Sequence, residues 1–169
     1  MNRHDPRPFI LVALAALSVP LAPGGVVPMA RGAVESAPST DDLLAQQRLD
    51  DYKRDVEALL ADHRDEQASS IDELERTLTL ERAAGASRSR LLKIVSRART
   101  DARNITRSFT AELNRVHADA FLDLRRMDAP KRIVNDVGRV RSGAMRQLKL
   151  DNREALDAIA EASRRLVGA

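Results

Sequence analysis

Residues 91–127 read LLKIVSRARTDARNITRSFTAELNRVHADAFLDLRRM. Their apolar and small members form a ladder: Leu91, Val95, Ala98, Ala102, Ile105, Phe109, Leu113, Val116, Ala120, Leu124 and Met127. Every step is three or four residues, the repeat that places side chains on one face of an α-helix. No Pro or Gly interrupts the run. A long amphipathic helix is therefore expected here, and the chain on either side must supply what covers its apolar stripe.

The segment before it carries a matching ladder: Leu49, Tyr52, Val56, Leu59/Leu60, His63, Gln67, Ile71, Leu74 and Leu78. Two polar rungs, His63 and Gln67, sit in mid-stripe. Thr40 is a good N-cap, with Asp41 and Asp42 where the helix dipole favours negative charge. Ser70-Ile71-Asp72-Glu73 fits a capping box, but the ladder keeps its phase across it, so one helix to about residue 84 is expected. Gly85 fits a C-terminal cap, and Ser87 or Ser89 can start the next helix. After the central run, Asp128 suits an N-cap and Pro130 a first turn. The third ladder is Ile133/Val134, Val137, Val140, Ala144 and Leu148, then Ala155, Leu156, Ile159 and Leu166. Gly138 and Gly143 weaken this helix or let a neighbouring backbone approach. Asp151-Asn152-Arg153-Glu154, polar on every face, makes a kink or short break plausible.

The expected fold is all-α: a long antiparallel helical hairpin or three-helix bundle with helices at about 41–84, 87–127 and 130–166. The stripes do not hold a strict heptad, which favours a bundle over a regular two-stranded coiled coil. A homo-oligomer would cover any remaining apolar face. Aromatics are only 2% of the chain, so the core must come from Leu, Ile, Val and Ala. That material suits slim helices and not a compact α/β enzyme. Without Cys, disulfides, thiol catalysis and thiolate metal sites are excluded.

Residues 1–30 read as an export signal. Arg3 and Arg7 precede the apolar run FILVALAALSV (9–19), and small residues around Pro20 to Ala30 offer cleavage sites. The alternative is an uncleaved membrane anchor, although Pro20, Pro23, Gly24, Gly25 and Pro28 break a continuous spanning helix. Residues 31–40 (RGAVESAPST) read as a flexible linker. The expected localisation is therefore periplasmic or secreted.

Charge is strongly partitioned. Residues 35–84 hold 14 Asp/Glu against 6 Lys/Arg, whereas residues 85–153 hold 17 Lys/Arg against 7 Asp/Glu. The two halves are expected to lie against each other, within one chain or across a dimer. Within the basic half, Arg88, Arg90, Lys93, Arg97, Arg99, Arg103 and Arg107 meet only Asp101. At 100° per residue they fan over the face away from the ladder, while Asp101, Glu112, Asp119 and Asp123 keep to one flank. This run is the candidate binding site for an anionic partner: a membrane surface, a cell-envelope polymer or nucleic acid. Nucleic acid is disfavoured by export and by the absence of interleaved aromatics.

No nucleophile elbow, HExxH, Gly-rich phosphate loop or other catalytic pattern occurs, and no enzyme activity, cofactor or metal is expected. His63 and Gln67 could offer ligands at i, i+4, but a satisfied polar rung is the stronger reading. In a hairpin turning near Gly85, His63 and His117 lie about ten residues apart in level, roughly 15 Å, so they share no site. In outline the chain is similar to small periplasmic helical chaperones; it carries neither a Leu-Thr-x-x-Gln repeat nor a Met/His-rich tract, and the likeness transfers no residue. The expected function is an exported, non-enzymatic, chaperone-like or adaptor protein that binds another macromolecule, a protein first of all, through a helix face, using the exposed part of the central ladder and the cationic face beside it. The alternatives are charge-driven binding through the basic face and a membrane-anchored structural rod.

Overall fold

The computed structural model describes residues 39–168, and the expected signal or anchor segment and most of the linker lie outside them. These residues form three helices: α1 (Thr40–Ala83), α2 (Arg88–Arg126) and α3 (Lys131–Val167). Each packs against the other two. At 1.5 Å per residue they are roughly 55–65 Å long. No described helix is long and apolar enough to cross a membrane.

Local chemistry sets the ends. Ser39 caps α1, one residue earlier than expected: its hydroxyl accepts from the Asp42 N–H at 3.1 Å, and the Asp42 carboxylate accepts from the Ser39 N–H at 3.4 Å. Thr40 cannot take this role because the reciprocal acid three residues on is Asp42 for Ser39, but Leu43 for Thr40. Gly85 adopts φ +75°, and the Gly85 and Ala86 N–H groups bond the Arg82 and Glu81 carbonyls at 3.0 and 2.9 Å. This double closure satisfies carbonyls that the helix end would otherwise leave bare. Ser87 then caps α2.

The second joint corrects the sequence reading. Asp128 is not the N-cap of α3 but the left-handed residue that closes α2, at φ +47°. The Asp128 and Ala129 N–H groups bond the Arg125 and Leu124 carbonyls at 3.2 and 3.0 Å, the same closure that Gly85 makes. Asp tolerates this conformation better than most residues, though at a cost glycine does not carry. Pro130 occupies the N-cap position of α3, without a side-chain capping bond.

Neither suspected break occurs. α1 runs straight through Ser70, and α3 runs through Asp151-Asn152. At Gly138 and Gly143 an added Cβ would meet nothing within 4 Å, so these glycines serve no close helix approach and only lower the helix propensity of α3.

The α1 ladder is buried as read, with Ala45 as an extra rung and Ile71 half-buried. On α2 the buried rungs are Leu91, Val95, Ala98, Ala102, Leu113, Ala120 and Leu124. Ile105, Phe109 and Val116 are half-buried and Met127 is exposed, because Thr106 and not Ile105 turns toward the axis in mid-helix. Levels match an antiparallel α1–α2 pair: Arg48 meets Asp123, Tyr52 approaches His117, His63 meets Thr106, and Glu81 meets Arg90. α3 runs parallel to α1, with Asp151 near His63 and Arg165 on Glu75 at 2.5 Å.

The core is not continuous. One apolar cluster gathers Leu49, Tyr52, Val56, Leu113, Leu124, Val137 and Leu148 with their neighbours. A second gathers Leu74, Leu78, Leu91, Val95, Ala102 and Ile159. Between them lies a polar layer.

Candidate interaction face and buried polar layer

His63 is 0% exposed, Gln67 4% and Asp151 6%. On the α1–α2 side the layer is closed. The Thr106 hydroxyl donates to the Ala102 carbonyl at 3.1 Å, which leaves its oxygen free to accept. It stands 3.1 Å from both His63 Nε2 and Gln67 Nε2. Gln67 Nε2 also donates to the Ala102 carbonyl at 2.9 Å. With its proton on Nε2, neutral His63 donates to the Thr106 oxygen; with its proton on Nδ1, it accepts from Thr106 and points N–H at Asp151. Phe109 packs edge-on against the imidazole, 5.2 Å between centroids.

The side toward α3 is open. With Nε2 protonated, His63 Nδ1 is a bare acceptor, and it faces Asp151 Oδ2 at 3.7 Å. Neither atom has a hydrogen-bond partner, and neither do the buried Gln67 Oε1 and Asn152 Oδ1. Asp151 is anchored by Oδ1, which accepts from Gln147 Nε2 at 2.6 Å, while Arg64 Nε stands 3.9 Å from Oδ2. Burial pulls the basicity of His63 below the ordinary imidazole value, and the Asp151 carboxylate offsets part of this. Burial, then Arg141, also lowers that of His117, which sits between Tyr52 and Phe121 and shares no site with His63.

The sequence marked His63 and Gln67 but missed Thr106, Gln147, Asp151 and Asn152. One signal for Asp151 was present: Leu148 to Ala155 is a double step, and a rung is needed between them. Among the described residues no group of three or more His, Asp or Glu is placed to hold a metal ion.

The cationic candidates are all on the surface. Arg88, Arg90, Lys93, Arg97, Arg99, Arg103 and Arg107 are exposed. Among the described residues only Arg90 of the seven makes an ion pair, to Glu81 at 2.6 Å; Arg107 bonds the neutral Asn104 at 3.3 Å. The acidic and basic halves do lie against each other as α1 and α2, but of the basic run only Arg90 pairs with α1 among the described residues. The reason is which flank of α2 turns inward. The flank toward α1 carries the acids: Asp123 takes Arg48 at 3.0 Å, Glu112 lines a groove with Asp55 and Asp62, and Asp101 lines another with Glu73. The cations are left in water. Arg88 and Lys93, with Ser89, Ser96 and Leu92 (46% exposed), edge a shallow depression free of acids and aromatics. Arg99, Arg103 and Arg107 follow at four-residue spacing, about 6 Å apart along the axis.

Comparison with protein-family models, with curated proteins and with solved structures returns no match for this chain.

Proposed function

We propose that the protein is a non-enzymatic helical interaction protein that holds an anionic macromolecular partner on the outer face of α2. The observation that carries this reading is the exposed cationic run from Arg88 to Arg107, of which only Arg90 is ion-paired among the described residues. Like charges at this spacing repel one another, and a polyanion that covers them relieves the repulsion and releases counterions. The alternative, an apolar docking face, would have to use the ladder's less buried members Ile105, Phe109, Val116 and Met127, since its other rungs pack into the core. Export fits the segment 1–30 and is part of the proposal.

The test is binding of a generic polyanion, polyglutamate, to the intact protein at rising NaCl, with an Arg97→Glu/Arg103→Glu variant beside it. Affinity should fall steeply with salt and collapse in the variant, whose helicity should remain, since both residues are exposed. Salt-independent binding, or a variant that binds like wild type, overturns the proposal.

A further inference from the structure

Two stretches of this chain carry opposite charge and make no ion pair with each other among the described residues. Residues 55–72 of α1 hold Asp55, Glu57, Asp62, Asp65, Glu66 and Asp72 against the single cation Arg64. Residues 88–107 of α2 hold seven cations against Asp101. The first run spans roughly 26 Å and the second roughly 28 Å of helix axis. All six acids are exposed, and none of them makes an ion pair among the described residues. Arg64 is itself drawn toward the buried Asp151.

Within one chain the α1–α2 seam carries Asp101, Glu112 and Asp123 on the α2 side. Arg97 edges the groove that holds Asp101 and Glu73, but no cation of the α2 stripe pairs with an acid of the α1 stripe among the described residues. Each stripe is therefore left with its own repulsion, and each has the length and sign that the other lacks. We infer that the partner of the cationic α2 face is the acidic α1 stripe of a second copy of this chain, so that the protein self-associates through charge. This inference rests on the proposed use of the α2 face for an anionic partner and names that partner. In a two-fold pair the contact would be made twice, each copy giving its α1 stripe to the other's α2. Exposed ion pairs are individually weak, so the association is dynamic and salt-sensitive, and it competes with any other polyanion for the same cations.

Two charge-reversed variants test it by sedimentation velocity on the full chain, with circular dichroism as the fold control. Asp65→Lys/Asp72→Lys cuts the balance of the α1 stripe from −5 to −1, and Arg103→Glu/Arg107→Glu cuts that of the α2 stripe from +6 to +2. Wild type should associate at low salt, with its dissociation constant rising about tenfold or more between roughly 0.05 and 0.5 M NaCl. Each variant alone should be monomeric, and an equimolar mixture should associate, because one of its two contacts then keeps both wild-type stripes. Should a reversal lower helicity, Asp65→Asn/Asp72→Asn should weaken association by itself. Monomeric wild type at low salt, variants that associate like wild type, or a mixture that stays monomeric would each overturn the inference. A polyglutamate titration separates the two levels. Monomeric wild type that still binds the polymer through Arg103 and Arg107 sinks the second copy and leaves the anionic-partner reading standing; failure of both experiments sinks both.

Discussion

Asp151→Asn is the most informative single change in the polar layer. The substitution is isosteric and keeps the acceptor for Gln147. It replaces the carboxylate oxygen that faces His63 Nδ1 at 3.7 Å with an N–H donor. Two unpartnered acceptors become one hydrogen bond, and a buried charge disappears. A hydrogen bond of this kind contributes about 1 kcal/mol, and an unsatisfied buried group costs about 1–3 kcal/mol. Loss of the charge-assisted bond from Gln147 gives back about 1 kcal/mol. The net expectation is a stabilisation of roughly 1–2 kcal/mol at pH 8, or several degrees in Tm for a domain of this size. The pH dependence sharpens the test. His63 is depressed in the folded state, so folding then takes up fewer protons than the unfolded chain does. Stability is fully present above the ordinary imidazole value near 6.5 and is lost as pH falls below it toward the folded value. In wild type the carboxylate opposes this loss by offering the imidazolium a partner; in the Asn variant an N–H faces it instead. The advantage of Asn should therefore shrink and reverse between pH 8 and about pH 5. Urea denaturation followed at 222 nm at the two pH values measures both effects. An Asn variant less stable by 1 kcal/mol or more at pH 8 would refute the reasoning, because it would mean that His63 Nδ1 carries a proton and donates it to Asp151.

Three further outcomes follow from the turns, the glycines and the N-terminal segment. Gly138→Ala and Gly143→Ala should each stabilise by about 0.5–1 kcal/mol, since the added methyl groups enter open space; thermal melts of the single and double variants check this, and a loss of stability would show a contact the fold does not contain. Asp128→Gly should stabilise by about 0.5–1 kcal/mol by removing the left-handed strain at φ +47°, whereas Gly85→Ala at φ +75° should destabilise by a similar amount; chemical denaturation reads both. Intact mass of the natively expressed protein should give a mature N-terminus between Val19 and Arg31, and a retained residue 1 would support the anchor reading instead.

Much of the fold was legible because its determinants are local. The ladders from Leu49 to Leu78 and from Leu91 to Leu124 follow from helical spacing alone. Gly85 and Ser87 are read from cap chemistry that depends on a few neighbouring residues. Asp128 was misread because Asp before Ala-Pro serves equally well to open a helix or, in a left-handed conformation, to close one; only the Ala129–Leu124 bond decides. Asp151 was hidden by its surroundings. Asp-Asn-Arg-Glu has the composition of a break, and nothing local says that one of its members will meet a histidine 88 positions earlier in the chain. The basic run is legible as an exposed face from helical spacing, but its pairing with α1 does not follow from the net charge of two chain halves. Net charge does not record which flank of a helix turns inward, and here Asp101, Glu112 and Asp123 occupy the flank toward α1.

The polar layer also has a consequence for alignment. Ladders of Leu, Val and Ala are nearly interchangeable under a slip of seven residues, about 10 Å along the axis, so apolar packing alone would let one helix slide on the next. Only one register brings Gln67 and His63 to Thr106 while Asp151 stands across from His63. Displacing α3 by two turns would put the Asp151 carboxylate against an apolar rung, where an unpaired buried charge costs several kcal/mol, and would leave His63 Nδ1 with no polar group across from it, although Gln67 and His63 would keep Thr106 on α2. Set against a typical domain stability of about 5–15 kcal/mol, that penalty works as a latch: the residues that weaken the middle of the core are those that fix the helices' longitudinal alignment.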